Sequence, residues 1–216
     1  MAKTVTAAEM KARERAANEA GLLYIQMMEN AGRAAYAELK RRVPALRRLL
    51  IVAGKGNNGG DGFVMARVAA KEGVQVRVLL AEGEPKTADA KTNLARLGET
   101  AAEIVRDTEQ AAFGADAVVD ALYGTGFHGE LRPGGAAACA LMDRERERGA
   151  FVLALDLPSG VSADSGEVAE GAVQADATVT FDCTKPLHFA KASKPLCGAV
   201  VCVDIGIGKA LGEHET

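Results

Sequence analysis

Tryptophan is absent, and only six phenylalanines and three tyrosines occur among 216 residues. A core must therefore be built from aliphatic side chains and alanine. With 48 % of the chain apolar, a domain of this length can bury such a core without covalent staples. Strong charge is also missing. The formal net charge of −3 is too small to point to nucleic acid or an anionic membrane as partner. The arginine-rich stretches Lys40–Arg48 and Arg144–Arg148 are short and read as solvated helix faces. No CxxC pair exists among Cys139, Cys183, Cys197 and Cys202; they read as reduced small hydrophobes, not as a disulfide or zinc framework. The three histidines lie far apart, which argues against a transition-metal site. No apolar run nears the roughly 20 residues of a membrane span. The opening MAKTVTAAEMKARERA has no apolar core and carries Glu9 and Glu14, so neither a secretory signal nor a transit peptide is expected, and a cytoplasmic location is.

What is present is a regular alternation. Thr6 followed by Glu9 is a capping box that opens a helix through about Ala20, broken by Gly21. A second helix is expected from Leu22 to about Arg42, with apolar residues at helical spacing and an end before Pro44. Gly32 lies inside it. A mid-helix glycine costs about 1 kcal/mol relative to alanine, so it marks either a close approach or a tolerated small residue. Strands are then expected at Leu49–Ala53, Val74–Ala81, Glu103–Val105, Ala117–Leu122, Phe151–Asp156, Ala177–Phe181 and Ala199–Asp204. Helices are expected at Asp61–Glu72, Thr87–Leu97, Glu109–Phe113 and Gly135–Arg148. Near-continuous apolar strands such as Phe151–Leu155 imply burial on both faces and so a mostly parallel sheet. Right-handed crossovers then give an α/β fold: a three-layer αβα sandwich, Rossmann-like and doubly wound, with two extra N-terminal helices. No repeat, low-complexity segment or linker interrupts it, so one domain is expected over 1–216, its core spanning about 48–208.

The stretch LLIVAGKGNNGGDG (Leu49–Gly62) organises the rest. A buried strand runs into a glycine-rich turn, with a helix expected near Asp61; Gly54, Gly56 and Gly59 have GxGxxG spacing. Asn57, Asn58 and Asp61 among the glycines are unusual for a phosphate turn, because an acid beside a phosphate is repulsive unless a cation or a polyhydroxyl group is there too. In such sheets ligands bind at the carboxyl ends of the strands. There the fourth strand delivers Asp120 and the run Gly124 to Gly129, the fifth Asp156-Leu157-Pro158-Ser159-Gly160, and the sixth Asp182-Cys183-Thr184-Lys185-Pro186. The Gly124 run is either a flexible turn or a set of free N–H groups for an anion. Asp156 is either a turn former or a carboxylate projecting into the crevice, poised for acid–base work. Glu82, after the second strand, could bind a ribose hydroxyl; His128 reads as a surface loop residue rather than a base. Asn58, Asp120 and Ser159 offer oxygen alone, which suits a hard cation, and with one sure carboxylate K⁺ fits better than Mg²⁺.

The segments AGKGNNGGDGFVMAR, VVDALYGTGFHGELR, LALDLPSGVSADSGEV, TVTFDCTKP and CVDIGIG, preceded by MENAGRAA, occur in an order and spacing that resembles the YjeF N-terminal domain family. The resemblance runs from about Thr6 to Gly208. It implies an NAD(P)H-hydrate epimerase, an isomerase that interconverts the R and S forms of NADHX and NADPHX, cofactors hydrated at C6 of the nicotinamide ring. It implies that Asn57, Asn58, Gly59, Gly60 and Asp61 hold the hydrated dinucleotide together with Gly124, Thr125, Gly126, Phe127, His128, Gly129 and Glu130. Asn58, Asp120 and Ser159 would ligate one K⁺ per subunit, and Asp156 would contact the hydrated nicotinamide, with Lys185 as a helper. It further implies a homodimer, acting beside an ATP- or ADP-dependent dehydratase that restores the S form. LHFAKASKP, after Pro186, follows the family pattern only loosely.

Two other classes compete. A nicotinamide-dependent dehydrogenase would explain GxGxxG but needs a substrate domain, for which no residues remain after Gly208. A non-catalytic scaffold, as some relatives of this fold are, would be expected to lose its acids and amides, yet Asn58, Asp61, Asp120, Asp156 and Ser159 are all present.

Overall fold

The computed structural model describes residues 3–213; the first two and last three residues of the expected single-domain span lie outside them. Two helices come first, α1 (Ala7–Glu19) and α2 (Tyr24–Arg42). The capping box is in place: Thr6 Oγ1 accepts from the Glu9 amide and Glu9 Oε2 accepts from the Thr6 amide. Helix α2 begins two residues later than expected, because the chain turns through Gly21 (φ +103°) and is still extended at Leu23.

The core alternates β1 (Arg48–Ala53), α3 (Asn57–Lys71), β2 (Gln75–Leu80), α4 (Ala88–Leu97), β3 (Glu103–Val105), α5 (Thr108–Ala111), β4 (Ala117–Ala121), α6 (Pro133–Glu147), β5 (Phe151–Leu155), β6 (Ala177–Phe181), β7 (Ala199–Val203) and α7 (Ile207–Ala210). The strands form one sheet in the order β3-β2-β1-β4-β5-β6-β7, and every pairing is parallel. Alternation along β1 explains the layers. Leu49, Ile51 and Ala53 pack with α1 to α4, whereas Leu50 and Val52 pack with α5 and α6 on the other face. The strand order reverses between β1 and β4, and the crevice there opens at their carboxyl ends.

One expectation is corrected. The glycine-rich stretch is not a turn leading to a helix at Asp61; α3 already starts at Asn57, so Asn57 to Asp61 form its first turn. Glycine in this stretch does not supply a left-handed backbone, since none of the glycines from 54 to 62 has positive φ. It supplies closeness. A Cβ on Gly54 would overlap the Leu122 carbonyl, whose carbon would be 2.8 Å away, and one on Gly59 would overlap the Gly54 carbonyl. Gly32 has the same explanation: its Cβ would sit 2.6 Å from Val64 Cβ and 2.7 Å from the Asp61 carbonyl oxygen, so α2 can lie directly on α3.

Gly54→Ala should cost about 3 kcal/mol, the upper end for overpacking, because both clashing groups are backbone and cannot rotate away. Gly56→Ala, with nothing within 4 Å of the added methyl, should cost less than about 1 kcal/mol. Urea unfolding of the two variants checks this, and equal losses would contradict the close-contact account.

Candidate active site

The carboxyl ends of β1, β2, β4, β5 and β6, roofed by α1, enclose a cleft of about 840 Å³. It is lined by residues from every loop that the sequence singles out, among them Asn58, Asp61, Gly124, Asp156 and Lys185. A cleft of this size is within the usual range for small-molecule sites.

At the switch point, a chain of hydrogen bonds joins three loops. The Asn58 side-chain amide donates to the Tyr123 carbonyl (2.8 Å), the Tyr123 amide donates to Ser159 Oγ (2.9 Å), and Ser159 Oγ donates to Asp120 Oδ1 (2.6 Å). Asp120 also accepts from the Ser159 amide at 2.6 Å and the Leu122 amide at 3.2 Å. Fully buried at the end of β4, it still has its pKa pushed up to about 6, because burial outweighs these donors. Among the described residues no basic side chain pairs with it. Asn58, whose NH₂ is used on Tyr123, keeps its Oδ1 available. Asn58, Ser159 and the buried Asp120 carboxylate, which has no cationic partner among the described residues, are thus tied through Tyr123 into one chain that offers oxygen alone, and such a donor set fits a weakly charged hard cation.

Asp156 and Lys185 form the second centre. Lys185 is 1 % exposed, and its Nζ lies 2.5 Å from Asp156 Oδ1. It also donates to Thr180 Oγ1 (2.9 Å) and the Phe181 carbonyl (3.2 Å), so all three ammonium protons have acceptors. Asp156 has φ +65°, a left-handed conformation that aspartate tolerates better than most residues. The turn is clamped by His188, which the sequence reading passed over. Its Nδ1 accepts from the Lys185 amide (3.0 Å), so Nε2 carries the proton and donates to the Asp156 carbonyl (3.0 Å). Burial lowers the His188 pKa, which keeps the ring neutral as this geometry requires. Two short 3₁₀ turns, Pro186–His188 and Lys194–Leu196, carry the chain away from this centre.

Two further carboxyls line the same end of the cleft. Burial, with the charges of Asp156 and Glu14 adding, pushes Asp61 well above the usual carboxylate range. Glu14 on α1 is raised chiefly by burial and then by Asp156. Nothing in the sequence marks Glu14, because α1 reaches the cleft only through tertiary packing. The helix is latched there by Arg13, whose Nε lies 2.8 Å from Asp182, and by the Ala7 amide donating to Asp164 (2.7 Å).

The remaining expected residues separate by exposure. Gly59 and Gly60 are buried in helix packing, whereas Asn57 is exposed at the mouth. In the loop after β4, Phe127 is buried and stacks on Tyr123 (centroids 5.1 Å), while Gly126, His128, Gly129 and Glu130 are exposed and Gly124 and Thr125 half-buried. Glu82 is engaged through one carboxylate oxygen. Its Oε1 accepts from the Tyr123 hydroxyl at 2.8 Å and lies 3.6 Å from Arg132. Tyr123 reaches it through a notch at Gly135, where any side chain would collide with the phenol.

The family described as YjeF-related protein N-terminus matches residues 24–187. The chain is 41 % identical over 207 residues to an NAD(P)H-hydrate epimerase of Pirellula staleyi, covering 90 % of this chain and 88 % of that protein. It is 36 % identical over 198 residues to the bifunctional NAD(P)H-hydrate repair enzyme Nnr of Coxiella burnetii, covering 91 % of this chain and 40 % of that protein. The corresponding Escherichia coli enzyme is 32 % identical, with 93 % and 39 % covered. The chain thus spans about two fifths of the length of the bifunctional relatives. A crystal structure of the yeast protein YNL200c superimposes with a TM-score of 0.75 at 19 % identity, covering 94 % of this chain and 88 % of that one, which is a likeness of fold. Among the described residues no helix is long and apolar enough to cross a membrane.

Because Lys185 is buried, removing one member of its pair strands the other. Lys185→Met and Asp156→Asn should each cost about 3 kcal/mol, and the double variant should recover at least half of the summed loss. Denaturant unfolding of the four proteins measures this coupling; strictly additive losses would contradict the pairing.

Proposed function

Since the chain belongs to the YjeF-related N-terminal family, we propose that it is an NAD(P)H-hydrate epimerase, an isomerase equilibrating the R and S forms of NADHX and NADPHX. The observation that carries this reading is the ion-paired Asp156 carboxylate, held in a left-handed turn in the same cleft as the α3 N-terminus and the Gly124 loop. Inverting C6 means breaking the C6–O bond and re-forming it on the other face. A proton must reach the departing oxygen, and another must leave the water that returns. Asp156 performs both transfers, giving a proton to the departing oxygen as the acid and taking one from the returning water as the carboxylate, while Lys185 holds its Oδ1 in place. The first turn of α3, Asn57 to Asp61, holds the dinucleotide, with the N–H groups ahead of the Gly60–Gly56 bond left free for it, and Gly124 to Glu130 cover its other side.

Asn58, Asp120 and Ser159 would hold one K⁺, which supplies the positive charge that the buried Asp120 lacks and offsets the acids near the pyrophosphate. The protein works in the cytoplasm as a homodimer, beside an ADP- or ATP-dependent dehydratase that consumes the S form; the longer relatives are named as bifunctional NAD(P)H-hydrate repair enzymes, which fits a second repair activity on the same chain.

The deciding experiment follows a mixed R/S NADHX sample by chromatography while a dehydratase removes only S. Adding this protein should drain R as well, and an unchanged R peak would end the epimerase reading. Asp156→Asn should lower turnover by about 10²–10⁴-fold while dinucleotide binding persists.

Potassium gives an independent check. The folded-state pKa of Asp120, about 6, exceeds its ordinary 3.8, so its protonated form favours folding and that contribution is lost as pH rises through about 6. KCl should therefore raise Tm more than equal choline chloride at pH 7.5, with a smaller difference at pH 5. Asp120→Asn should remove the difference; equal effects of both salts at pH 7.5 would refute the cation site.

A further inference from the structure

The cleft is chemically lopsided. Asp61, Asp156, Glu14 and Lys185 lie toward β5 and β6, whereas Lys55, Lys86, Thr87 and Arg132 line the opposite end, beyond β1 and β2. The loops there are fixed to each other: the Lys86 amide donates to the Lys55 carbonyl at 2.8 Å. The Lys55 stem runs past Gly83, where an added Cβ would lie 3.8 Å from its Cε. Among the described residues neither Lys55 nor Lys86 makes an ion pair, and Arg132 only approaches Glu82 at 3.6 Å. The neighbouring acids are already engaged, Glu82 by Tyr123 and Glu84 by Arg106. Thr87 Oγ1, at the N-cap of α4, is buried and makes no hydrogen bond with any described residue. Two lysines without an ion-pair partner, the Arg132 guanidinium held only at 3.6 Å by Glu82, and an unpartnered hydroxyl therefore line this end of the cleft.

The strand order says which part of a dinucleotide would arrive there. In a sheet ordered 3-2-1-4-5-6, the two halves of the ligand straddle the switch point, and the adenosine ribose falls at the end of β2. A free acid at that position accepts from the 2′-hydroxyl, whereas cations there accommodate a 2′-phosphate. Here the acid at the end of β2, Glu82, is turned to Tyr123 and Arg132 through its Oε1, and the groups without an ion-pair partner, Lys55 and Lys86, are basic. If the reacting ring sits at Asp156, beyond β5, the ribose end reaches this rim.

We propose that Lys55, Lys86 and Arg132, with the Thr87 hydroxyl, form a subsite for the 2′-phosphate of an adenosine ribose, so that the chain selects the phosphorylated dinucleotide NADPHX over NADHX. The selection between the two substrates rests on the epimerase reading; the phosphate subsite itself does not. The rim groups act as charge-assisted donors to a phosphomonoester, with arginine offering two parallel N–H bonds and the lysines point charges. All are on loops or helix caps near the surface, so replacing them leaves the core untouched.

Two measurements test it. Calorimetric titration with adenosine 2′,5′-bisphosphate and with adenosine 5′-monophosphate compares ligands that differ only by the 2′-phosphate. The bisphosphate should bind at least about tenfold more tightly, and the Lys55→Ala/Lys86→Ala variant should erase most of that difference, as should Thr87→Val in part. Equal affinity for the two ligands, no bisphosphate binding at millimolar concentration, or a variant that weakens both alike would overturn the proposal; the last result would mean that the cations read the shared 5′-phosphate. In the coupled epimerase assay, the ratio of kcat/KM for NADPHX to that for NADHX should fall about tenfold in Arg132→Ala and in the double-lysine variant, and an unchanged ratio would again refute it. Tight, 2′-phosphate-dependent binding by a protein that epimerises neither hydrate would retain the subsite and reject the epimerase function instead.

Discussion

The backbone of β1 and the backbone after β4 meet with no room for a side chain between them. Gly54 lies against the Leu122 carbonyl and Gly59 against Gly54 itself, so the first turn of α3 is pressed into the switch point of the sheet. Everything chemical follows from that approach. It brings Asn58 within reach of the Tyr123 carbonyl, and through Tyr123 and Ser159 it links three loops to the buried Asp120. A larger residue at either glycine would open the seam and separate the donors that a cation needs.

On that frame the cleft distributes charge unevenly, and the unevenness is its chemistry. At one end burial withholds solvent from several carboxyls at once, and the protein gives them different environments. Asp156 receives an ammonium and a hydroxyl, Asp120 receives backbone amides, and Asp61 is left with neither and is driven toward its neutral form. Carboxyls with such different surroundings are the usual means by which one site supplies both acid and base. At the other end the free groups are cationic. A ligand that satisfies both ends must carry negative charge at one extremity and a proton-exchanging group at the other, as a hydrated nicotinamide dinucleotide does.

Much of this was legible in the residues. The three-layer architecture followed from apolar strands alternating with amphipathic helices, and the strand ends pointed to the loops that now line one cleft. The start of α3 was misread because glycine was taken as a signal for a turn, when its use here is to let a helix approach a strand end. Glu82 offered a ribose contact on position alone; only the Gly135 notch, which admits the Tyr123 phenol, explains why its carboxylate is engaged. His188 and Glu14 were invisible as site residues. One acts by clamping two backbone segments that lie far apart in sequence, and the other arrives on a helix whose docking depends on Arg13 and Asp182.

The sequence by itself determined the fold and the chemical inventory, because periodicity, caps and glycine spacing act locally and are read residue by residue. The tertiary structure decided which groups are paired and which are left free. Lys185 became the buried partner of Asp156, Glu82 became a brace, and Lys55 and Lys86 remained without counter-ions. Pairing depends on distances of a few ångströms between segments tens of residues apart, 29 for Lys185 and Asp156 and 41 for Glu82 and Tyr123, and no local pattern encodes that.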